Sequence, residues 1–578
     1  MLSKNNKLSK IRSLLKKNDI QYYILPHSDE YQNEFLPEYS KRLEWISNFS
    51  GSAGDIIIGN KEAFLFVDGR YTIQASQEVN RKHFKIYNYS DLSPIDLLKN
   101  KQPKAIGIDG NTITYQRVAH IKKHIDKGVK IKNIDKNLID QIWVDKPKKK
   151  KSKPFAVGGK NTSGKVNYIK KYLHNSNADY YLITACDSIA WIFNIRAKDI
   201  KYSPLFLSKA LIHKSGKCYI YSDFNNSKNI KFGVKIEFRN TLEINNFVNN
   251  LDKKETIICD TNTVSFSLAN QIKNKAKLKI EGDLIQLLKS KKNRLEKNGM
   301  IECHKRDGIA LTKFIYWIKN NLKNKKISEL DAIKYLDNKR KKNEKFFSLS
   351  FPTIAGTGSN GAIVHYRANE KTNKTIKTSD LFLVDSGAQY LDGTTDVTRT
   401  ICFDTPSPEQ IEMYTRVLKG HIAVATSKIK YGETGKKLDY LARKPLKEIN
   451  CNFDHGTGHG VGCFLNVHEN PPSISKNSKI KFEDGMIVSN EPGYYKENHY
   501  GIRIENLILS KLSNGTITFK TITIAPFERL LIDQSLLTTN EINWVNRYHK
   551  RVRNILTPSM NSNERDWLVN QTAPLQQR

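Results

Sequence analysis

The chain runs to 578 residues, with 95 Lys and Arg against 58 Asp and Glu, a formal net charge of +37. That length allows three or four domains of about 100–200 residues, and a content of 38% hydrophobic and 10% aromatic residues excludes a disordered chain. The basic excess raises a nucleic-acid partner. Against it, the lysines are spread along the whole chain, and the one dense run, residues 146–154, carries prolines and no aromatic residue to stack on bases, the texture of a solvated linker.

Within residues 1–18, Leu8, Ile11, Leu14 and Leu15 follow helical spacing and no secretory apolar region is present. This reads as the first helix of a domain, with a transit peptide as the alternative. An internal repeat follows. Ile106-Gly107-Ile108-Asp109-Gly110-Asn111-Thr112 matches Ile257-Ile258-Cys259-Asp260-Thr261-Asn262-Thr263. Upstream, Tyr22-Tyr23-Ile24-Leu25 matches Tyr180-Tyr181-Leu182-Ile183, and Glu44-Trp45-Ile46 resembles Ala190-Trp191-Ile192. The offset of roughly 150 residues predicts two similar α/β domains in tandem, joined by the lysine-rich linker. Neither half clusters His, Asp and Glu at ligand-like spacing, so both are expected to be structural. Seven cysteines, an odd count with no C-x-x-C pair, fit reduced thiols in the cytoplasm. No apolar run approaches the length of a membrane span.

Near Glu296 a third region begins. Met300, Cys303, Ala310, Leu311, Phe314, Trp317 and Ile318 recur at spacings of three and four, which predicts an amphipathic helix. From residue 351 to 509 glycines multiply, and His, Asp and Glu appear in short apolar runs. Asp385 ends one such run, and Asp396 follows an Asp392-Gly393 pair, a strong hairpin signal. A two-residue turn at Asp392-Gly393 would put both carboxylates on one face but four residues apart, about 13 Å. One ion cannot be shared across that gap, so a common metal site requires a wider turn or a bulge.

His455, His459 and His468 fall within fourteen residues of a glycine-rich stretch. The glycines disfavour a helix of the H-E-x-x-H kind and admit close approach of backbone to a ligand. Glu491 ends a short apolar run before Pro492-Gly493, and Arg503 and Glu505 alternate onto one face of a predicted strand. Four carboxylates and one imidazole make an oxygen-rich set suited to Mn²⁺, Co²⁺ or Fe²⁺. Five ligands overfill one catalytic ion and accommodate two ions bridged by carboxylates.

In this order and context, Asp385, Asp396, His459, Glu491 and Glu505 resemble the pita-bread metallopeptidases, and within them the three-domain Xaa-Pro aminopeptidase family. Further stretches carry the likeness: Glu44 to Asp55, Asp68-Gly69-Arg70-Tyr71, Trp191 to Arg196, Gly361 to Tyr366, His455 to Glu469, and Trp567 to Pro574. The resemblance implies an α/β multidomain chain. Two tandem creatinase-like domains (1–146 and 155–292) would precede a pita-bread α+β catalytic domain (296–512) and a C-terminal extension (513–578). It implies that Asp385 binds one ion, Asp396 and Glu505 bridge both, and His459 and Glu491 complete the other. The ions would be Mn²⁺ first, with Co²⁺, Fe²⁺ or Zn²⁺ as alternatives.

His365, His455 and His468 would line the substrate site and Arg503 would support the ligand shell. The reaction implied is hydrolysis of an N-terminal Xaa-Pro bond by a hydroxide bridging the two metals, with Glu491 as general acid and base. The partners implied are peptides with proline second and another copy of the chain as a homodimer, in the cytoplasm, with no membrane. In some relatives a proline follows closely after the position of Tyr366, where this chain has Arg367-Ala368. The alternatives are a prolidase, confined to Xaa-Pro dipeptides, and a nucleic-acid-binding pseudoenzyme, whose expected loss of ligands the sequence does not show.

Overall fold

The computed structural model describes residues 4–158, 161–224 and 233–576. The chain forms two compact units, residues 1–285 and 286–578.

The first unit is the repeat. Its first sheet runs Lys85–Asn88, Ala63–Val67, Asp55–Gly59, Tyr22–Pro26, Ala105–Ile108 and Lys130–Asn133. The second runs Ile236–Asn240, Cys218–Ser222, Ser208–His213, Tyr180–Ile183, Thr256–Asp260 and Lys277–Glu281, in the same order. Strand directions also match: Tyr22–Pro26 and Tyr180–Ile183 each pair antiparallel with the neighbour on one side and parallel with the neighbour on the other. Both faces of the first sheet are buried. Tyr23, Leu25, Ile56 and Ile58 pack on one side with Leu8, Ile11 and Leu15 of the helix Lys4–Lys17, and Ile24, Ile57, Phe64 and Phe66 pack on the other. Burial of that helix stripe is what makes it part of the domain.

Small features recur as well. Lys7 and Lys165, each on the helix that opens its repeat, lie 3.9 Å and 4.2 Å over the rings of Trp45 and Trp191 and donate to those residues' carbonyls. Asp109 directly follows one strand and Asp260 ends the other; each accepts from the backbone N–H two residues on, and Thr114 and Ser265 each cap the next helix. The two motifs also touch: Tyr115 N–H donates to Val264 O at 3.0 Å and Phe266 N–H to Ile113 O at 2.9 Å. The stretch 145–153 between the domains has no secondary structure; Lys146 pairs with Asp140 and Lys149 with Asp223.

In the second unit the helix Arg294–Asn321 begins at an Asn293–Glu296 capping box and buries Met300, Cys303, Leu311, Phe314 and Ile318. Trp317, half-buried, stacks on Tyr335 at 3.7 Å. A six-stranded sheet orders Ile429–Lys430, Thr516–Thr521, Asn506–Ser513, Ile487–Asn490, Gly458–Gly460 and Glu469–Ile474. Two three-stranded sheets and the hairpin Gly493–Lys496/Tyr500–Arg503 complete the β structure around the site. The helices Thr539–Leu556 and Ser562–Gln571 close the apolar core with Val545, Val552, Leu556 and Leu568.

The Asp385–Asp396 hairpin turns one residue earlier than the Asp-Gly pair predicts. Tyr390 pairs with Gly393, so the turn is Leu391-Asp392, and Asp385 faces Thr398. Asp396 therefore stands two positions from Asp385's partner, not four, and no wider turn is needed. The ladder is still interrupted: Phe382–Ser386 with Val397–Ile401 joins one sheet, and Ala388–Tyr390 with Gly393–Thr394 joins another.

Candidate metal centre

All five predicted ligands lie on or beside strand ends of the second unit. Asp385 is within Phe382–Ser386 and Asp396 directly precedes Val397–Ile401. His459 is the middle residue of Gly458–Gly460, Glu491 follows Ile487–Asn490, and Glu505 precedes Asn506–Ser513. Ligand atoms of Asp396, His459 and Glu505 lie within 4.8 Å of one another. His459 Nε2 is 3.5 Å from both Asp396 Oδ2 and Glu491 Oε1. Gly458 and Gly460 admit close neighbouring backbone: a Cβ there would stand 1.9 Å from Ser489 O and 2.3 Å from Glu469 O.

Hydrogen bonds fix these side chains from behind. Ser489 Oγ accepts from His459 N–H at 2.9 Å and donates to Glu491 Oε1 at 2.9 Å. Thr398 Oγ1 donates to Glu505 Oε2 at 2.8 Å and accepts from Arg503 Nε at 3.2 Å, joining the two residues expected to share a face. Arg503, fully buried, donates to Asp385 Oδ2 at 2.8 Å and to Tyr495 Oη at 2.8 Å. Tyr495 Oη in turn lies 2.8 Å from His455 Nε2, and His455 Nδ1 lies 2.8 Å from Gly456 O. A carbonyl only accepts, so His455 Nδ1 donates to Gly456 O. His468 meets His459 edge to face, ring centres 4.4 Å apart. Its neighbour Glu469 is buried between Lys289 and Lys292. His365 is half-buried, one residue after Val364, whose carbonyl accepts from Arg503. Sequence reasoning missed Tyr495, Thr398 and Ser489. Closeness in sequence to Glu491 was the signal that could have found Ser489 and Tyr495.

The electrostatics are those of crowded, buried carboxylates. Burial, opposed by Arg503 and reinforced by the charge of Asp396, pushes Asp385 up to about 6. Burial and the charges of Asp396, Glu491 and Asp385 push Glu505 well above the carboxylate range, and burial with Asp396 raises Glu491 against the pull of His459. Burial alone would lower His459, but its bond to Asp396 and the charge of Glu491 lift it to about 9. Asp385 Oδ1 and Glu505 Oε1 are buried with no hydrogen-bond partner. Orphaned carboxylate oxygens among like charges are costly to bury. The donor set of carboxylates and imidazole therefore fits divalent cations, which would occupy those oxygens and neutralise the repulsion.

Residues 298–511 match metallopeptidase family M24, and residues 515–575 match the C-terminal region of that peptidase. Residues 7–142 and 145–296 each match a creatinase/prolidase N-terminal domain. The fold and site thus define a metallopeptidase with two creatinase-type domains ahead of its catalytic domain.

The chain is 34% identical to "Probable Xaa-Pro aminopeptidase P" of Coprinopsis cinerea, over 99% of this chain and 98% of the relative. It is 35% identical to "Xaa-Pro aminopeptidase 1" of Dictyostelium discoideum, over 99% and 96%. Its structure matches the X-prolyl aminopeptidase of Caenorhabditis elegans, described as a cytosolic enzyme with a di-nuclear active site. The TM-score is 0.93 at 30% identity, covering 99% of this chain and 100% of that one. The chain belongs to the Xaa-Pro aminopeptidase family and is a hydrolase of the metallo-exopeptidase class. Among the described residues no helix is long and apolar enough to cross a membrane.

Proposed function

We propose that this enzyme removes an N-terminal residue standing before proline, using two divalent cations held by Asp385, Asp396, His459, Glu491 and Glu505. The carrying observation is the buried cluster itself, whose Asp385 and Glu505 each keep one oxygen without a protein partner. The full-length likeness to enzymes named for the Xaa-Pro bond supports the substrate class. Asp385 would take one ion, Asp396 and Glu505 both, and His459 and Glu491 the other, with Mn²⁺ favoured by the oxygen-rich set. When bound, two such ions acidify a water and polarise a carbonyl near neutral pH.

The chain's own residues do the rest. Glu491, kept in place by Ser489, takes the proton released by the attacking water and passes it to the departing proline nitrogen. His365 and His468 stabilise the developing oxyanion. His455, with both ring nitrogens engaged, acts through Tyr495 to orient Arg503 and hence Asp385. A proline imide has no N–H to bond, so selection for proline rests on apolar contact with its ring. Among the described residues the cysteines form no disulfide, which together with the worm relative's description as cytosolic supports a cytoplasmic location. We also assign the domain limits given by the sequence, 1–146, 155–292, 296–512 and 513–578. A homodimer rests on the resemblance, and sedimentation tests it.

The deciding experiment incubates the Mn²⁺-loaded enzyme with an Xaa-Pro dipeptide and an Xaa-Pro-Xaa tripeptide. The aminopeptidase reading expects turnover of the tripeptide. Cleavage of the dipeptide alone would replace it with the prolidase reading.

A further inference from the structure

Behind the two glutamates lies a histidine that touches none of the five ligands. His421 sits on the helix Pro408–Ala425 and is fully buried. Asn490 and Asn506 face each other across the antiparallel strands Ile487–Asn490 and Asn506–Ser513. Each is the chain neighbour of a proposed ligand: Asn490 precedes Glu491 and Asn506 follows Glu505. Side chains alternate along a strand, so the asparagines turn to the helix while the glutamates turn to the site.

His421 joins both asparagines. Its Nδ1 lies 3.0 Å from Asn490 O, and Asn490 Nδ2 donates to His421 O at 2.9 Å. Its Nε2 lies 3.1 Å from Asn506 Nδ2. Arg399 fixes the direction of these bonds. The guanidinium can only donate, and its Nη2 reaches Asn506 Oδ1 at 2.8 Å. The amide nitrogen of Asn506 therefore faces the imidazole, Nε2 accepts, and the proton sits on Nδ1 and goes to Asn490 O. Burial, helped by the charge of Arg399, pushes the His421 pKa down to about 3, so this neutral form persists. Arg399 also donates to Glu505 O at 2.7 Å and Thr398 O at 2.8 Å, which ties the same group to the second glutamate's backbone.

We infer that His421 is a positioning residue: a neutral clasp that holds the Asn490-Glu491 and Glu505-Asn506 backbones at one separation, so that the two glutamates meet the metal ions preorganised. The inference rests on the two-metal reading above. Partners behind metal ligands commonly set affinity by about 10–100-fold. A residue that only fills space would act through its volume, whereas the clasp acts through one donor and one acceptor.

The test titrates Mn²⁺ calorimetrically into metal-free parent protein, His421→Phe and His421→Gln, each checked for fold by circular dichroism. His421→Phe keeps a ring and loses both bonds. It should bind Mn²⁺ about 10–100-fold more weakly and show a lower kcat on an Xaa-Pro-Xaa tripeptide, with KM little changed. His421→Gln offers one donor and one acceptor and should recover most of the affinity. Parental affinity in His421→Phe, or equal losses in both variants, would overturn the clasp. If His421→Phe does not fold, Asn506→Leu, which removes the donor to Nε2 together with the acceptor for Arg399, carries the comparison. It should lose about tenfold in affinity, and parental affinity would again overturn the clasp. A parent protein that takes up fewer than two Mn²⁺ ions defeats the two-metal reading and the clasp together. A parent that takes up two, with unaffected variants, defeats the clasp alone.

Discussion

Asp109 and Asp260 in the first unit and Asp385 in the second all sit at the ends of apolar strands, yet they are finished differently. Asp109 accepts from Asn111 N–H and Asn137 Nδ2, and Asp260 from Asn262 N–H and Thr263 Oγ1, so both oxygens of each are satisfied by neutral neighbours. Asp385 has Arg503 on one oxygen, nothing on the other, and Asp396 beside it. Burial raises the pKa of all three. What separates a turn-closing carboxylate from the proposed cation ligand is therefore not burial but an unfilled acceptor next to a second negative charge.

The largest effect that could break this contrast is at the proposed ligands. Asp396→Asn or Glu491→Gln should lower tripeptide cleavage by about a thousandfold or more while leaving the circular dichroism unchanged. Near-parental turnover in both purified variants would end the site assignment. Arg503→Lys keeps the charge but cannot fork between Asp385 and Tyr495, and it should cost roughly 10–100-fold in metal affinity or kcat.

A smaller and more diagnostic effect is pH dependence of the metal-free protein. Asp385 rises from an ordinary 3.8 to about 6, and His459 from 6.5 to about 9. In both cases the folded state holds its proton more tightly than the unfolded chain. The stability they contribute is thus full at low pH and is lost as pH rises through about 6 for Asp385 and through about 9 for His459. The melting temperature of metal-free protein should fall along that course, and added Mn²⁺ should raise it more at pH 8 than at pH 6, because binding displaces protons. A melting temperature that climbs with pH over this range would contradict the crowded-carboxylate description. The smallest effect is expected in the first unit. Asp109→Asn sets one amide N–H₂ against Asn137 and should cost roughly 1–3 kcal/mol in urea denaturation, with kcat per folded molecule unchanged.

Much of this was readable from local chemistry. The repeat announces itself because strand, Asx turn and helix cap are adjacent in sequence, as in Asp109 to Thr114 and Asp260 to Ser265. The proposed ligand set was chosen through its order, although the turn beside it was misread. Gly393 looked like a turn residue, but it is there for packing: a Cβ would stand 2.6 Å from Cys303 Sγ on the long helix. That demand comes from a residue 90 positions away and leaves no local trace. Thr398 and His421 were illegible for the same reason. They are ordinary polar residues until the sheet brings Thr398 to Glu505 and the helix brings His421 to Asn506.

The contact between the two repeats has a further consequence. Tyr115 to Val264 and Phe266 to Ile113 become each other when the repeats are exchanged, and the rings of Tyr115 and Phe266 lie 6.3 Å apart across the join. Such self-reciprocal pairing is how two identical subunits meet about a twofold axis. Here both halves belong to one polypeptide, tethered through residues 145–153, so each meets its counterpart at an effective concentration on the order of millimolar, whatever the protein's own dilution. A patch too small to hold two free subunits together suffices when the chain never lets them part.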